Sequence, residues 1–148
     1  MLDRFEFVIG SIHQRAGMNG EAMTARVLHA MDDPHMTILG HPTGRLLLAR
    51  EPYDLDIERV LASAAERGIA IEVNADPHRL DLDWRKVRRA RELGVTLSIG
   101  ADAHSVAGMG NVAVGLGVAR KGWLEAKDVL NTRDAGGFLA FARARRAR

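Results

Sequence analysis

Along the chain, apolar positions switch repeatedly between a strand-like run and a helical spacing. Phe5 to Ile12 (FEFVIGSI) is apolar and β-branched, which predicts a strand. Met23, Val27, Ala30 and Met31 then recur at helical spacing until Asp32, Asp33 and Pro34 end the segment. TILG, Thr37 to Gly40, reads as a short buried strand. After the turn residues of HPTGR and a loop containing Pro52, a helical stripe is formed by Ile57, Val60, Leu61, Ala64 and Ala65. Asp54 is its expected N-cap and Gly68 its C-terminal glycine. IAIEVNA (Ile69 to Ala75) is the third strand, Trp84, Val87, Ala90 and Leu93 define a third helix closed by Gly94, and VTLSIGA (Val95 to Ala101) is the fourth strand. Strands alternating with helices at this spacing predict βαβ units, hence an α/β fold with mostly parallel strands.

Beyond His104 the pattern changes. Met109, Val112, Ala113, Leu116, Ala119 and Trp123 are spaced for one helix, although Gly110, Gly115 and Gly117 lie inside it. No GxGxxG order is present and no strand precedes these glycines, so they read as close helix packing and not as a phosphate cradle. Glu125 to Leu130 and Asp134 to Arg146 read as two closing helices.

Composition narrows this picture. The chain has 148 residues, a single-domain length, and no cysteine, which excludes thiolate zinc sites and leaves nothing to tie it to an oxidising compartment. Asp3, Arg4 and Glu6 stand where a signal peptide would need an apolar core, and no apolar run reaches the ~20 residues of a membrane span. A cytoplasmic location is the expectation. A net charge of +2 does not argue for nucleic acid, but the basic residues are bunched. Arg85, Lys86, Arg88, Arg89 and Arg91 form one cluster, and Arg143, Arg145, Arg146 and Arg148 form another; both read as solvated faces.

Candidate chemistry collects at the carboxyl ends of the strands, where ligands bind in parallel α/β folds. FVIGSIH delivers His13, TILGH delivers His41, and SIGADAH delivers Asp102 and His104. The remaining strand ends in Asn74, with Glu72 two residues earlier on the same side. Residues i and i+2 of an extended segment share a face ~6.6 Å apart, near enough to converge on one ion or on neighbouring ions. Neutral imidazoles with a carboxylate suit zinc, manganese or iron better than magnesium or calcium. His29, in mid-helix, His35, after Pro34, and His78, in a polar loop, read as surface histidines. Arg45 and Arg79, each just beyond a strand-end loop, have two readings: phosphate clamps, or structural ion pairs with Asp81, Asp83 or Glu51.

In this order, SIH, ILGHPTGRLL, IEVNADPHRLDL, SIGADAHS and GVARKGWLEAKDVLNT resemble the C-terminal half of the PHP (polymerase and histidinol phosphatase) domain, in the form attached to bacterial family X DNA polymerases. The resemblance runs from Asp3 to Thr132. It implies roughly the C-terminal half of a distorted seven-stranded (β/α) barrel, a site for up to three zinc or manganese ions, and phosphoester hydrolysis, as a 3′-to-5′ exonuclease on DNA in the polymerase-linked group. By position, His13, His41, Asp102 and His104 match the family's last four metal ligands, with Asp102 and His104 the catalytic pair. Arg45, Asn74 and Arg79 are the candidates for substrate binding.

The sequence also departs from the family. The other ligands, an early His-x-His pair, two further histidines and a bridging glutamate, lie upstream of the matched part, and this sequence contains no His-x-His. A full barrel takes ~250 residues. Residues 1–148 are therefore read as a single partial PHP domain, without the N-terminal half of the barrel or a polymerase domain. The expectations are fewer bound ions than in the full site, and little or no turnover of DNA or a small phosphoester by this chain alone. The alternative is a non-catalytic remnant that binds a metal, a nucleic acid or a partner chain. An open sheet edge along Phe5 to Ile12 predicts a homodimer in which equivalent edges pair.

Overall fold

The computed structural model describes residues 1–14 and 17–148. Four strands, β1 (Val8–Gly10), β2 (Met36–Leu39), β3 (Ala70–Asn74) and β4 (Leu97–Gly100), form one all-parallel sheet in the order β1-β2-β3-β4. Five α-helices accompany it: α1 (Gly20–Ala30), α2 (Ile57–Arg67), α3 (Trp84–Glu92), α4 (Val112–Lys121) and α5 (Ala135–Arg146). The sheet does not close, so the architecture is that of a partial (β/α) barrel.

Alternation divides the sheet into two faces. Leu39, Ile71, Val73, Leu97 and Ile99 pack against Val27, Val60, Leu61 and Val87 of the helices and make the main core. On the other face, Ile38 and Ala70 meet Leu130, with Phe138 and Phe141 of α5 packed over them. The same face continues toward the carboxyl ends through Gly40, Glu72, Ser98 and Gly100, and there it opens into a cavity.

Most helix ends follow from short polar side chains. Asn19 caps α1 through Ala22 N–H at 2.9 Å, Asp83 caps α3, and Asp134 caps α5 through Gly137 N–H at 2.7 Å. Gly68 ends α2 at φ 67°, the left-handed turn expected of it. The α2 N-cap is Asp56 and not Asp54, because Asp56 accepts the Arg59 N–H at 3.1 Å while Thr24 Oγ1 fixes its own N–H at 3.0 Å.

Three other expectations change. β1 is shorter than Phe5 to Ile12: Leu2–Arg4 is a 3-10 turn, the ladder shifts register between Val8 and Ile9, and Phe7 stacks edge-on against Phe138 at 5.0 Å. The helix read through Met109 to Trp123 begins as a 3-10 turn, Ala107–Asn111, before α4. Of the three glycines read as close helix packing, Gly115 alone is so packed, since a Cβ there would lie 2.7 Å from Ala75 Cβ and 2.8 Å from Ile99 Cγ2, while Gly110 and Gly117 meet nothing within 4 Å. Glu125 to Leu130 is not an α-helix but two 3-10 turns, Ala126–Asp128 and Leu130–Thr132, around an extended Val129. That segment is drawn onto the free edge of β4: Val129 bridges Leu97, and the Asn131 amide accepts the Ile99 N–H at 2.7 Å and donates to the Ile99 carbonyl at 3.0 Å. Among the described residues, no helix is long and apolar enough to cross a membrane.

Candidate active site

A cavity of about 590 Å³ sits over the carboxyl ends of the strands. His13 after β1, His41 after β2, Glu72 in β3 and Asp102 after β4 all line it, with Ile9, Met109 and Val112 forming apolar wall. His41 is the most tightly held. Its φ is 27°, its N–H donates to Glu72 Oε2 at 2.6 Å, and its side chain is enclosed, with the residue 7% exposed. The next residues of HPTG are gripped by the buried Asp81 carboxylate, which accepts from Thr43 N–H, Thr43 Oγ1 and Gly44 N–H at 2.8 to 2.9 Å. Gly44, at φ 61°, lies against Tyr53, whose hydroxyl donates to the Ile12 carbonyl at 3.0 Å and so ties this loop to the one leading to His13.

The His41 and His13 rings stand edge to face, 5.1 Å between centroids. His41 Nδ1 is buried with no hydrogen-bond partner. Burial, then the positive charge of Arg79, holds this imidazole below its ordinary pKa, so it is neutral at pH 7. His13 Nε2 lies 2.7 Å from Ser11 Oγ.

Glu72 was visible in the sequence as a neighbour of Asn74 on one strand face, but its role was not. It stands between two glycines: a Cβ at Gly100 would fall on its carboxylate, and one at Gly40 would lie 3.5 Å from its Oε2. Asn74, fully buried, donates to Glu72 Oε2 at 3.2 Å and accepts the Asp76 N–H at 3.1 Å. As placed, Asn74 supports Glu72 and lies outside the cavity lining. Burial raises the Glu72 pKa above its ordinary value, against the lowering effect of the His41 N–H. The signal that would have found it is the pair of strand-end glycines at its level on β2 and β4.

Asp102, at φ 48°, is ion-paired with Arg79, whose Nε lies 3.0 Å from its carboxylate, and Arg79 Nη1 is buried and unpartnered. His104 is exposed, outside the cavity lining, with Nδ1 2.8 Å from the Asp102 carbonyl. Arg45 takes the structural alternative. Its guanidinium donates to the carbonyls of Arg79 (2.8 Å) and Leu80 and lies 3.9 Å from Asp83, so it braces the loop that carries Arg79. His29 and His78 are exposed, while His35 is partly covered between Asp3 and Asp33.

Two imidazoles and two carboxylates on one cavity, one imidazole neutral with an orphaned buried nitrogen, form a donor set that suits a borderline divalent cation. Among the described residues, however, no three His, Asp or Glu side chains are grouped closely enough to hold an ion as they stand. Asp102 is occupied by Arg79 instead.

Fold and cavity thus define an open parallel α/β protein with its candidate site at the carboxyl ends of the strands. No family model matches the chain. It is 38% identical over 141 residues to the DNA polymerase/3′-5′ exonuclease PolX of Bacillus subtilis (strain 168), covering 95% of this chain and 25% of that protein. It is 29% identical over 144 residues to a probable phosphatase of Thermoanaerobacter sp. (strain X514), covering 89% of this chain and 55% of the relative. A probable phosphatase of Caldanaerobacter subterraneus subsp. tengcongensis is 30% identical over 113 residues, 70% of this chain and 42% of the relative. The chain is therefore homologous to a region of PolX and to these probable phosphatases, and spans a quarter of the former and about half the length of the latter.

Proposed function

We propose that the chain carries part of a PHP-type, metal-dependent phosphoesterase centre, built on His13, His41, Asp102 and His104. The observation that carries this reading is the buried, unpartnered Nδ1 of the neutral imidazole of His41, a residue that lines the same cavity as His13 and Asp102. The names of the relatives, an exonuclease and probable phosphatases, support phosphoester hydrolysis as the reaction class.

His13, His41 and Asp102 at the cavity, with His104 exposed beside Asp102, would hold zinc or manganese, and that metal would supply an acidified water and neutralise charge on the phosphoryl oxygens. The chain's own groups do the rest. Glu72 fixes His41 through its backbone N–H. Arg79, with Nη1 unpartnered, would donate to a non-bridging phosphate oxygen if its pairing with Asp102 were released. Ile9, Met109 and Val112 give the cavity an apolar wall. A 3′ end of DNA is the proposed substrate, by analogy with PolX; a small phosphomonoester is the other.

A second reading has its own observation: Asp102 is paired to Arg79 and no three-ligand group is assembled among the described residues, and on this reading the chain would bind a metal without turnover. One experiment separates the two. Hydrolysis of p-nitrophenyl phosphate and of 3′-labelled DNA is measured with manganese, beside equilibrium dialysis of the same metal, for the wild type, His41→Ala and Asp102→Ala. Manganese-dependent hydrolysis lost in both variants supports the phosphoesterase. Metal binding lost in His41→Ala without hydrolysis in any form supports the second reading, and metal binding unaffected by either substitution overturns both.

A further inference from the structure

At the other end of the sheet, a cavity of about 580 Å³ lies beside Met31 and Arg67, just before the starts of β2 and β3. Four guanidinium groups line it, those of Arg67, Arg145, Arg146 and Arg148, against two carboxylates, Asp32 and Glu66. Both carboxylates are within ion-pair distance of Arg67, at 2.9 and 3.7 Å, which leaves the other three arginines without an acidic partner among the described residues. Arg148 donates to the Glu66 carbonyl at 2.7 Å.

Arg145 is the decisive residue. It is 4% exposed and donates through Nη2 to the carbonyls of Met31 at 2.7 Å and Asp33 at 2.9 Å, yet its Nε is buried with no partner. Arg146 Nε is likewise buried and unpartnered. A buried guanidinium without an ion-pair partner is costly: burial first, then Arg67, pushes the Arg145 pKa down, while Asp33, ahead of Arg148, acts the other way. The cavity has donors to spare, a formal charge of +2, and forked guanidinium geometry that matches tetrahedral oxyanions.

We propose that this arginine cavity is a binding site for a phosphate dianion, either inorganic phosphate or the terminal phosphate of a phosphomonoester. It is separate from the strand-end cavity and does not rest on the phosphoesterase reading. A dianion balances the formal charge, and a concave site suits a terminal phosphate better than an extended, singly charged diester backbone.

The test is an NMR titration of the full chain with inorganic phosphate, and in a second arm with a 5′-mononucleotide. Saturable shifts are expected at residues 31–34, 66–68 and 145–148, with the mononucleotide binding more tightly only if the phosphomonoester is the ligand. Arg148→Gln should weaken binding by about tenfold, the loss of one charged hydrogen bond. Asp32→Asn, which removes a competing carboxylate, should tighten it, a gain that a damaged fold would not produce. Shifts confined to the surroundings of His41 and Asp102, no response at millimolar phosphate, or equal affinity in wild type and both variants would overturn the proposal.

Discussion

His41 and His104 are equivalent in the sequence, each a histidine delivered by a strand end, and the structure treats them in opposite ways. His41 is enclosed, with its N–H on Glu72 and the following residues on Asp81. His104 is exposed and leans on a neighbouring carbonyl, that of Asp102. One side of the cavity is built in advance; the other is held by the Arg79–Asp102 ion pair. Strand-end position brings a side chain near the site, but buried second partners decide whether it is fixed there.

The largest effect that would sharpen this contrast is at Asp81. Asp81→Ala strands two backbone N–H groups and a hydroxyl, and should lower stability by about 3 kcal/mol or more. Asp81→Asn, which keeps an acceptor for the two N–H groups and a donor for Thr43 Oγ1, should lose much less. Calorimetric melting of the two variants measures the difference, and equal losses would show that packing alone matters there. Next comes Gly100→Ala, whose added methyl falls on Glu72. A loss of about 1–3 kcal/mol is expected from overpacking, together with a changed His41 resonance in NMR spectra; an unchanged resonance would disconnect Glu72 from His41. At the other histidine, His104→Ala should change stability by no more than about 0.5 kcal/mol in urea unfolding. A larger loss would place hidden structure in the exposed loop.

The smallest expected effect lies away from both loops. Hydrogen bonds to Asp3 and Asp33 raise the His35 pKa above 6.5, and His35 in turn holds both carboxylates below 3.8. The His35 contribution is complete below 6.5 and fades as pH rises through the raised value; the carboxylate contributions exist above 3.8 and fade as pH falls through their lowered values. His35→Ala should therefore destabilise more at about pH 5.5 than at about pH 8.5 in paired melting curves. The opposite order would break this assignment.

Much of the scaffold was legible because periodicity reports burial. β2, β3 and β4, the stripe of α2 and the left-handed Gly68 are all local consequences of sequence. Val129 was read as helical because its pairing with β4, like that of Asn131, is a tertiary contact that the local pattern does not carry. The same holds for Arg145: within an arginine-rich tail it looks solvated, and only its bond to Met31, 114 residues away, buries it. At the strand ends, position alone brought His13, His41 and Asp102 to one cavity. It did not tell His104 from His41, nor Arg45, which braces carbonyls, from Arg79, which faces Asp102.

The central claim is that the His41 imidazole, neutral and orphaned, is the fixed point of a divalent-metal site. Nitrogen NMR of the imidazoles during a zinc titration tests it most directly. At about one equivalent of zinc per chain, the account predicts that His41 and His13 shift first and that Asp102→Ala weakens the response, while His29 and His78 stay still. First shifts at His29 or His78, with His41 unmoved, would contradict it.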